Sequence, residues 1–361
     1  MWWAVPTLLS PLQKEFSMLK NRIAALFGSL AIAAAMSVSA QAAGPESKVV
    51  ADGLDNPSGV AVQPGTGHVF IASHSGVHRL DPKTGELTAE VTGYPDPTDI
   101  YGKGPKYAIG PLGLSFLDQN TLVVGGGSRK DGEELVRIFE VGDKAAAKPQ
   151  MDSKAAKTLG PIPMSDQTIK GEGNFYGVVA TPTGIYVTCN GDDTKGWVAK
   201  AGVKDGKVGK LKLTIATKEA TEVDAPGPIT TTKSGKGVMV GQIGEVSVAG
   251  DSLVTIYSAR GKMQRNLTTG LNDIAGLAWS PSGKLFATDF SWVDAAAGGL
   301  FSVSLGKKEA TEAKTKKLLS LDKPTGIAFD ADGNAYVAVF GTAAEGSDKP
   351  AGQILKITGL K

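Results

Sequence analysis

Short apolar runs broken by a Pro/Gly turn return along this chain in a fixed order. The first is Gly59-Val60-Ala61-Val62, a turn, then Val69-Phe70-Ile71-Ala72. It returns as Ile274 to Trp279, turn Ser280-Pro281-Ser282-Gly283, then Leu285 to Asp289. It returns again as Thr325 to Phe329, turn Asp330 to Gly333, then Ala335 to Val339. Weaker copies start near Gly113, Gly177 and Pro228. A third apolar run follows in most copies, as at Val77 to Leu80, Leu135 to Val141, Val254 to Tyr257, Leu300 to Val303 and Ile354 to Ile357. Each run is too short for a helix, so the pattern predicts strands.

Six copies, roughly 50 residues apart, predict a radial array of four-stranded blades. The expected fold is therefore all-β: a six-bladed β-propeller of antiparallel blades. A Gly in most first strands fits that geometry, because first strands crowd around the axis and leave no room for a Cβ. The stretches Lys144 to Lys157 and Lys307 to Lys317 are rich in Ala and Lys and lack an apolar stripe. They read as solvated excursions between blades. Lys48 to Ala51 has no partner within its own repeat, so it is expected to pair with the last blade at Gln353 to Ile357 and close the ring.

The start of the chain has another plan. Lys20 and Arg22 precede the apolar run Ile23 to Met36, and Ala40-Gln41-Ala42 follows. A basic segment, an apolar segment and a small-x-small site make a secretory signal peptide. Residues 1–42 are read as an N-terminal extension and signal, with Met18 as the initiator, and 43–361 as one propeller domain. The expected location is secreted or periplasmic, with no membrane contact after cleavage. The remaining chain has 35 basic and 35 acidic residues. That balance argues against a nucleic-acid partner. Cys189 is the one cysteine, so the core must hold without a disulfide.

The phrase Pro324-x-Gly326-Ile327-Ala328-x-Asp330-x-x-Gly333-Asn334-x-Tyr336-Val337-Ala338 resembles the NHL repeat. It is similar also to the repeats of gluconolactonase-like and strictosidine-synthase-like propellers. The resemblance covers most of the chain after the leader and supports six blades. Fold alone assigns no activity.

Candidate chemistry is sought at one end of the channel, where loops of different blades converge. Positions before first strands offer Asn56, Glu172, Asn174 and Asp273. Positions at the ends of second strands offer Ser73, His74, Cys189, Asn190, Gln242 and Asp289. His74 is the general-base candidate, with Asp289 beside it in the catalytic set. Glu172, Asn174, Asn190, Gln242 and Asp273 are the ligand-binding set. The run Asn190-Gly191-Asp192-Asp193 reads as turn chemistry or as an oxygen cluster for a metal. His68, His74 and His78 are close in sequence, but a strand separates His68 from the others, so no zinc triad is expected.

The gluconolactonase resemblance implies a divalent metal such as Ca2+ at this place, with Asp289 kept as a ligand. Ala275 stands where those enzymes hold an Asn, and Glu172-Gly173-Asn174 only echoes their Glu-Gly-Pro phrase. Asp289 has a second reading as a turn cap. Two functions stay open. One is a propeller that binds a small polar molecule or a protein partner at the channel mouth. The other is a lactonase-like hydrolase of sugar lactones or related small substrates.

Overall fold

Six antiparallel sheets are arranged around one axis in this computed structural model, which describes residues 44–95, 100–101, 107–190, 195–221 and 225–360. The leader and the Gly191-Asp192-Asp193 part of the acidic run lie outside the described residues. Gly44–Lys361 is one compact unit. The first strands are Gly59–Val62, Leu114–Phe116, Val178–Thr181, Pro226–Thr231, Ile274–Trp279 and Pro324–Phe329. They open blades 1 to 6 in chain order. The expected six-bladed propeller is what the chain forms.

First-strand glycines sit where the blades are closest. A Cβ built on Gly59, Gly113, Gly177, Gly276 or Gly326 would fall under 3.0 Å from a carbonyl oxygen of the next blade. The same crowding gives bonds between blades. Thr188 Oγ1 donates to the Gly227 carbonyl at 2.7 Å, and Thr325 Oγ1 donates to the Pro57 carbonyl at 2.7 Å. Gly326 N–H donates to the Ser58 carbonyl at 2.8 Å.

Outward from the axis, the apolar faces of neighbouring blades meet. Each of the six interfaces has its own buried cluster. Between blades 1 and 2 it holds Phe70, Val77, Leu122 and Phe139. Between blades 6 and 1 it holds Leu54, Val60, Ile71, Tyr336 and Ile354. Strands that are apolar on both faces follow from this stacking, since both faces of a blade are covered.

The N-terminal strand closes the ring as expected. Glu46–Leu54 pairs antiparallel with Gly352–Thr358, with Lys48 opposite Lys356 and Val49 opposite Leu355. Blade 6 is thus built from both ends of the propeller.

Two expectations are corrected. The stretch Lys144 to Lys157 is not merely a solvated excursion. Gln150–Met151 adds a parallel strand outside Leu87–Thr92 and makes blade 1 five-stranded. Asp152, next to it, is buried and accepts two hydrogen bonds from Arg137, both at 2.8 Å. The stretch Lys307 to Lys317 runs into Lys314–Ser320, the outer strand of blade 5. An outer strand has much of its surface in water, so its apolar signal is weak.

Candidate functional site

The second strands all end at one mouth of the channel. In five of the six blades the residue after the strand donates its backbone N–H to a carbonyl at the start of the same blade. The bonds are His74 to Asp55 (2.8 Å), Asn190 to Gly173 (3.0 Å), Ile243 to Ala225 (2.9 Å), Phe290 to Asp273 (2.9 Å) and Phe340 to Lys323 (3.0 Å). This clip fixes the height of each residue along the axis. Asn190, Ile243, Phe290 and Phe340 line a cavity of about 560 Å³. Positions before or opening the first strands supply Ser58, Leu112, Asn174, Asp273, Ala275 and Thr325. All six blades therefore contribute.

One wall is aromatic. Phe290 and Trp292 lie with centroids 4.5 Å apart, and Phe340 meets Phe290 edge-on at 5.3 Å. Tyr107 joins them from the connection between blades 1 and 2, at 5.2 Å from Phe340 and 5.4 Å from Trp292. Its strand, Tyr107–Ala108, is held where Asn56 Nδ2 donates to the Ala108 carbonyl at 2.9 Å. Edge-to-face packing of this kind favours a fixed wall. Tyr176 crosses from blade 3 to blade 5, and its hydroxyl donates to the Ala275 carbonyl at 2.7 Å. Below it is a second cavity of about 390 Å³, lined by first strands. Ser58, Tyr176 and Ala275 belong to both cavities, so Tyr176 is the floor of the mouth.

Two polar groups at the mouth carry an acceptor without a hydrogen bond. Asp273 is 2% exposed. Its Oδ2 accepts from the Trp292 N–H at 2.7 Å, while Oδ1 has no partner. Burial pushes its carboxyl up to about 7, and the charges of Asp289 and Asp251 push the same way against the Trp292 bond. Asn174 is 9% exposed, and its Oδ1 likewise has no partner. Its backbone has φ 45°, a left-handed turn that Asn tolerates.

Of the ligand-binding set, Asn174, Asn190 and Asp273 reach the cavity. Glu172 and Gln242 do not line it and are fully buried. Glu172 lies near Cys189, whose thiol is pushed up by burial first and by Glu172 second. Of the catalytic pair, neither lines the cavity. His74 is partly exposed beside it, with Nδ1 2.7 Å from Asp55 Oδ2. Asp289 is 2% exposed, and its oxygens accept from the N–H groups of Asp273 (2.8 Å) and Asn272 (3.0 Å). That is the turn cap of its second reading.

A hard divalent cation does not fit this lining. Among the described residues Asp273 is the one carboxylate of the lining, set among aromatic carbon and amides, and such ions take six or more oxygen ligands. Among the described residues, no group of three or more His, Cys, Asp or Glu side chains could hold a metal. His68, His74 and His78 do not form such a group.

The residues missed by sequence reading are the aromatic ones. Phe290 and Phe340 occupy the position that His74 and Asn190 occupy in their own blades. Repeat register could have found them. Tyr107 and Trp292 stand on connections outside the repeat, where no register applies.

Known structures share this architecture. The soluble aldose sugar dehydrogenase of Escherichia coli, in its apo form, is similar at a TM-score of 0.58 and 14% identity, over 87% of this chain and 99% of that one. The PQQ-bound aldose sugar dehydrogenase of Streptomyces coelicolor is similar at 0.56 and 15%, over 87% and 98%. A candidate gluconolactonase is similar at 0.53 and 14%, over 87% and 92%. The chain shares their fold. Identity this low carries the fold and not the chemistry. No protein-family model matches the chain, and no curated protein matches it by sequence.

Proposed function

We propose that this chain is an exported β-propeller that binds a small organic molecule at the mouth of its central channel. One observation carries the reading: side chains from all six blades converge on one solvent-open cavity at the channel mouth. A concave mouth on which every blade converges is where a small molecule is expected to bind. The lining changes the expected ligand. Its walls are largely apolar and aromatic, so the molecule needs an apolar body with polar groups at one end, rather than being polar throughout. A polycarboxylate such as pyrroloquinoline quinone, bound in one structural neighbour, finds no Lys or Arg among the described lining residues.

Trp292 tests the reading, because it lines the cavity and reports by fluorescence. A thermal-shift screen of small organic molecules should yield ligands that raise the melting temperature and quench Trp292. Trp292→Ala and Asn190→Ala should each weaken these ligands about tenfold or more and leave the unliganded melting temperature nearly unchanged. Ligands that keep full affinity for both variants would place the site elsewhere.

A hydrolase remains the second reading, supported by Asp273, a carboxyl near neutrality inside a cavity. Lactone turnover in the wild type that disappears in Asp273→Asn would decide for it.

Export rests on the leader. N-terminal sequencing of protein recovered from outside the cytoplasm should begin near Ala43. An intact Met18 or Met1 there would refute cleavage.

A further inference from the structure

The two unpartnered atoms at the mouth, Asp273 Oδ1 and Asn174 Oδ1, are both acceptors. A buried acceptor without a donor costs about 1–3 kcal/mol, and a ligand can supply the donor. The charges that act on the described lining are acidic. Asp289 and Asp251 act on Asp273, and Asp322 acts on Tyr107. Two described cations are engaged elsewhere: Lys317 Nζ donates to the Ala296 carbonyl at 2.9 Å, and Lys323 Nζ sits 3.1 Å from Asp322 Oδ1. Among the described residues no Lys or Arg lines the cavity. Beside Asp273 the lining presents Tyr107, Phe290, Trp292 and Phe340, and aromatic faces attract cations. A hard metal ion is a poor match, as the donor set shows. An organic cation matches every element of the lining.

We infer that the mouth selects an organic ammonium ion, a protonated amine that donates to Asp273 Oδ1 and Asn174 Oδ1 while its apolar body packs against the aromatic wall. The inference rests on the reading of the mouth as a ligand site. Charge separates this class from a neutral alcohol or ketone of the same shape. An alcohol also donates, but it leaves the acidic surroundings uncompensated.

Titration follows from the geometry. An ammonium ion needs Asp273 ionised. The ligand-free carboxyl changes state at about 7, so binding below that value must first expel its proton. Affinity therefore falls as pH falls, by about tenfold between pH 8 and pH 6. A neutral ligand has no such dependence.

The test uses the full chain without its leader. Calorimetric titrations with cyclohexylmethylammonium and with cyclohexylmethanol, its neutral isostere, are run at pH 6 and pH 8. The ammonium ion should bind at least about tenfold more tightly than the alcohol at pH 8, and about tenfold more weakly at pH 6 than at pH 8. Asp273→Asn, which keeps the shape, should erase both the preference and the pH dependence. A second variant, Trp292→Leu, should weaken the ammonium ion without moving its pH dependence, whatever the stability of the first. Equal binding of both probes would overturn the inference and leave the mouth a ligand site. Binding of neither would overturn it too, and the Trp292 screen alone would then judge the site. Tight binding of Ca2+ that Asp273→Asn abolishes would replace the ammonium ion with a metal.

Discussion

Removing residues 44–54 is expected to lower the melting temperature by more than about 10 °C, or to leave the protein insoluble. This segment contains the outer strand Glu46–Leu54, which closes blade 6 against Gly352–Thr358. Three losses coincide. The ladder from Glu46–Thr358 to Leu54–Gly352 disappears. Leu54, 3% exposed, leaves the cluster between blades 6 and 1, and a side chain of that size contributes about 1.5–3 kcal/mol. A free edge appears on Gly352–Thr358, which invites pairing between molecules. Differential scanning calorimetry checks the first effect and light scattering the last. A synthetic peptide of residues 44–54, added in excess, should restore part of the loss by mass action. An unchanged melting temperature would mean that the ring does not depend on this strand.

A single substitution, Arg79→Met, should cost about 3–5 kcal/mol. Arg79 and Glu90 lie on neighbouring strands of blade 1, and both side chains are 2% exposed. The guanidinium meets the carboxylate at 2.9 Å and 3.1 Å, donates to the Gly142 carbonyl at 2.9 Å, and covers the Phe70 ring. Without Arg79, Glu90 is a buried charge with its cation gone. Burial already pushes the Glu90 carboxyl up while Arg79 opposes it, so the variant should hold Glu90 protonated over a wider range. A folded-state value above the unfolded one makes stability fall as pH rises between the two. The variant should therefore lie closer to wild type at pH 5 than at pH 8. Arg79→Met with Glu90→Leu should recover most of the loss, because an apolar pair needs no desolvation of charge. Chemical denaturation of the three variants at both pH values checks this. A double variant no better than the single one would show that the Gly142 and Phe70 contacts matter more than the charge.

Blade number and ring closure were legible because both rest on backbone rules. Strand period, turn residues and crowding at the axis leave direct traces, and Lys48 to Ala51 was visible as a strand without a local partner. The mouth was legible only in part, and the error was one of register. His74 and Asn190 are the residues after their second strands, whereas Gln242 and Asp289 are the last residues within theirs. Successive side chains on a strand point to opposite faces. One step therefore separates Asp289, turned to backbone N–H groups, from Phe290, turned to the cavity. A search for polar residues also passes over aromatic ones, which look like core. Asp273 was found by position, but its one bonded oxygen, Oδ2, depends on Trp292, a connection residue whose placement no repeat dictates.

The backbone clip behind five of the second strands has a consequence for how such a mouth changes. The bond that sets the height of His74, Asn190, Ile243, Phe290 and Phe340 uses main-chain atoms only. An imidazole, an amide, a branched alkyl group and two phenyl rings already occupy equivalent places on one scaffold. The rim is thus a set of interchangeable letters on a fixed frame. Selectivity can be rewritten there one blade at a time, by evolution or by a designed library, while the folding instructions stay in the strands beneath.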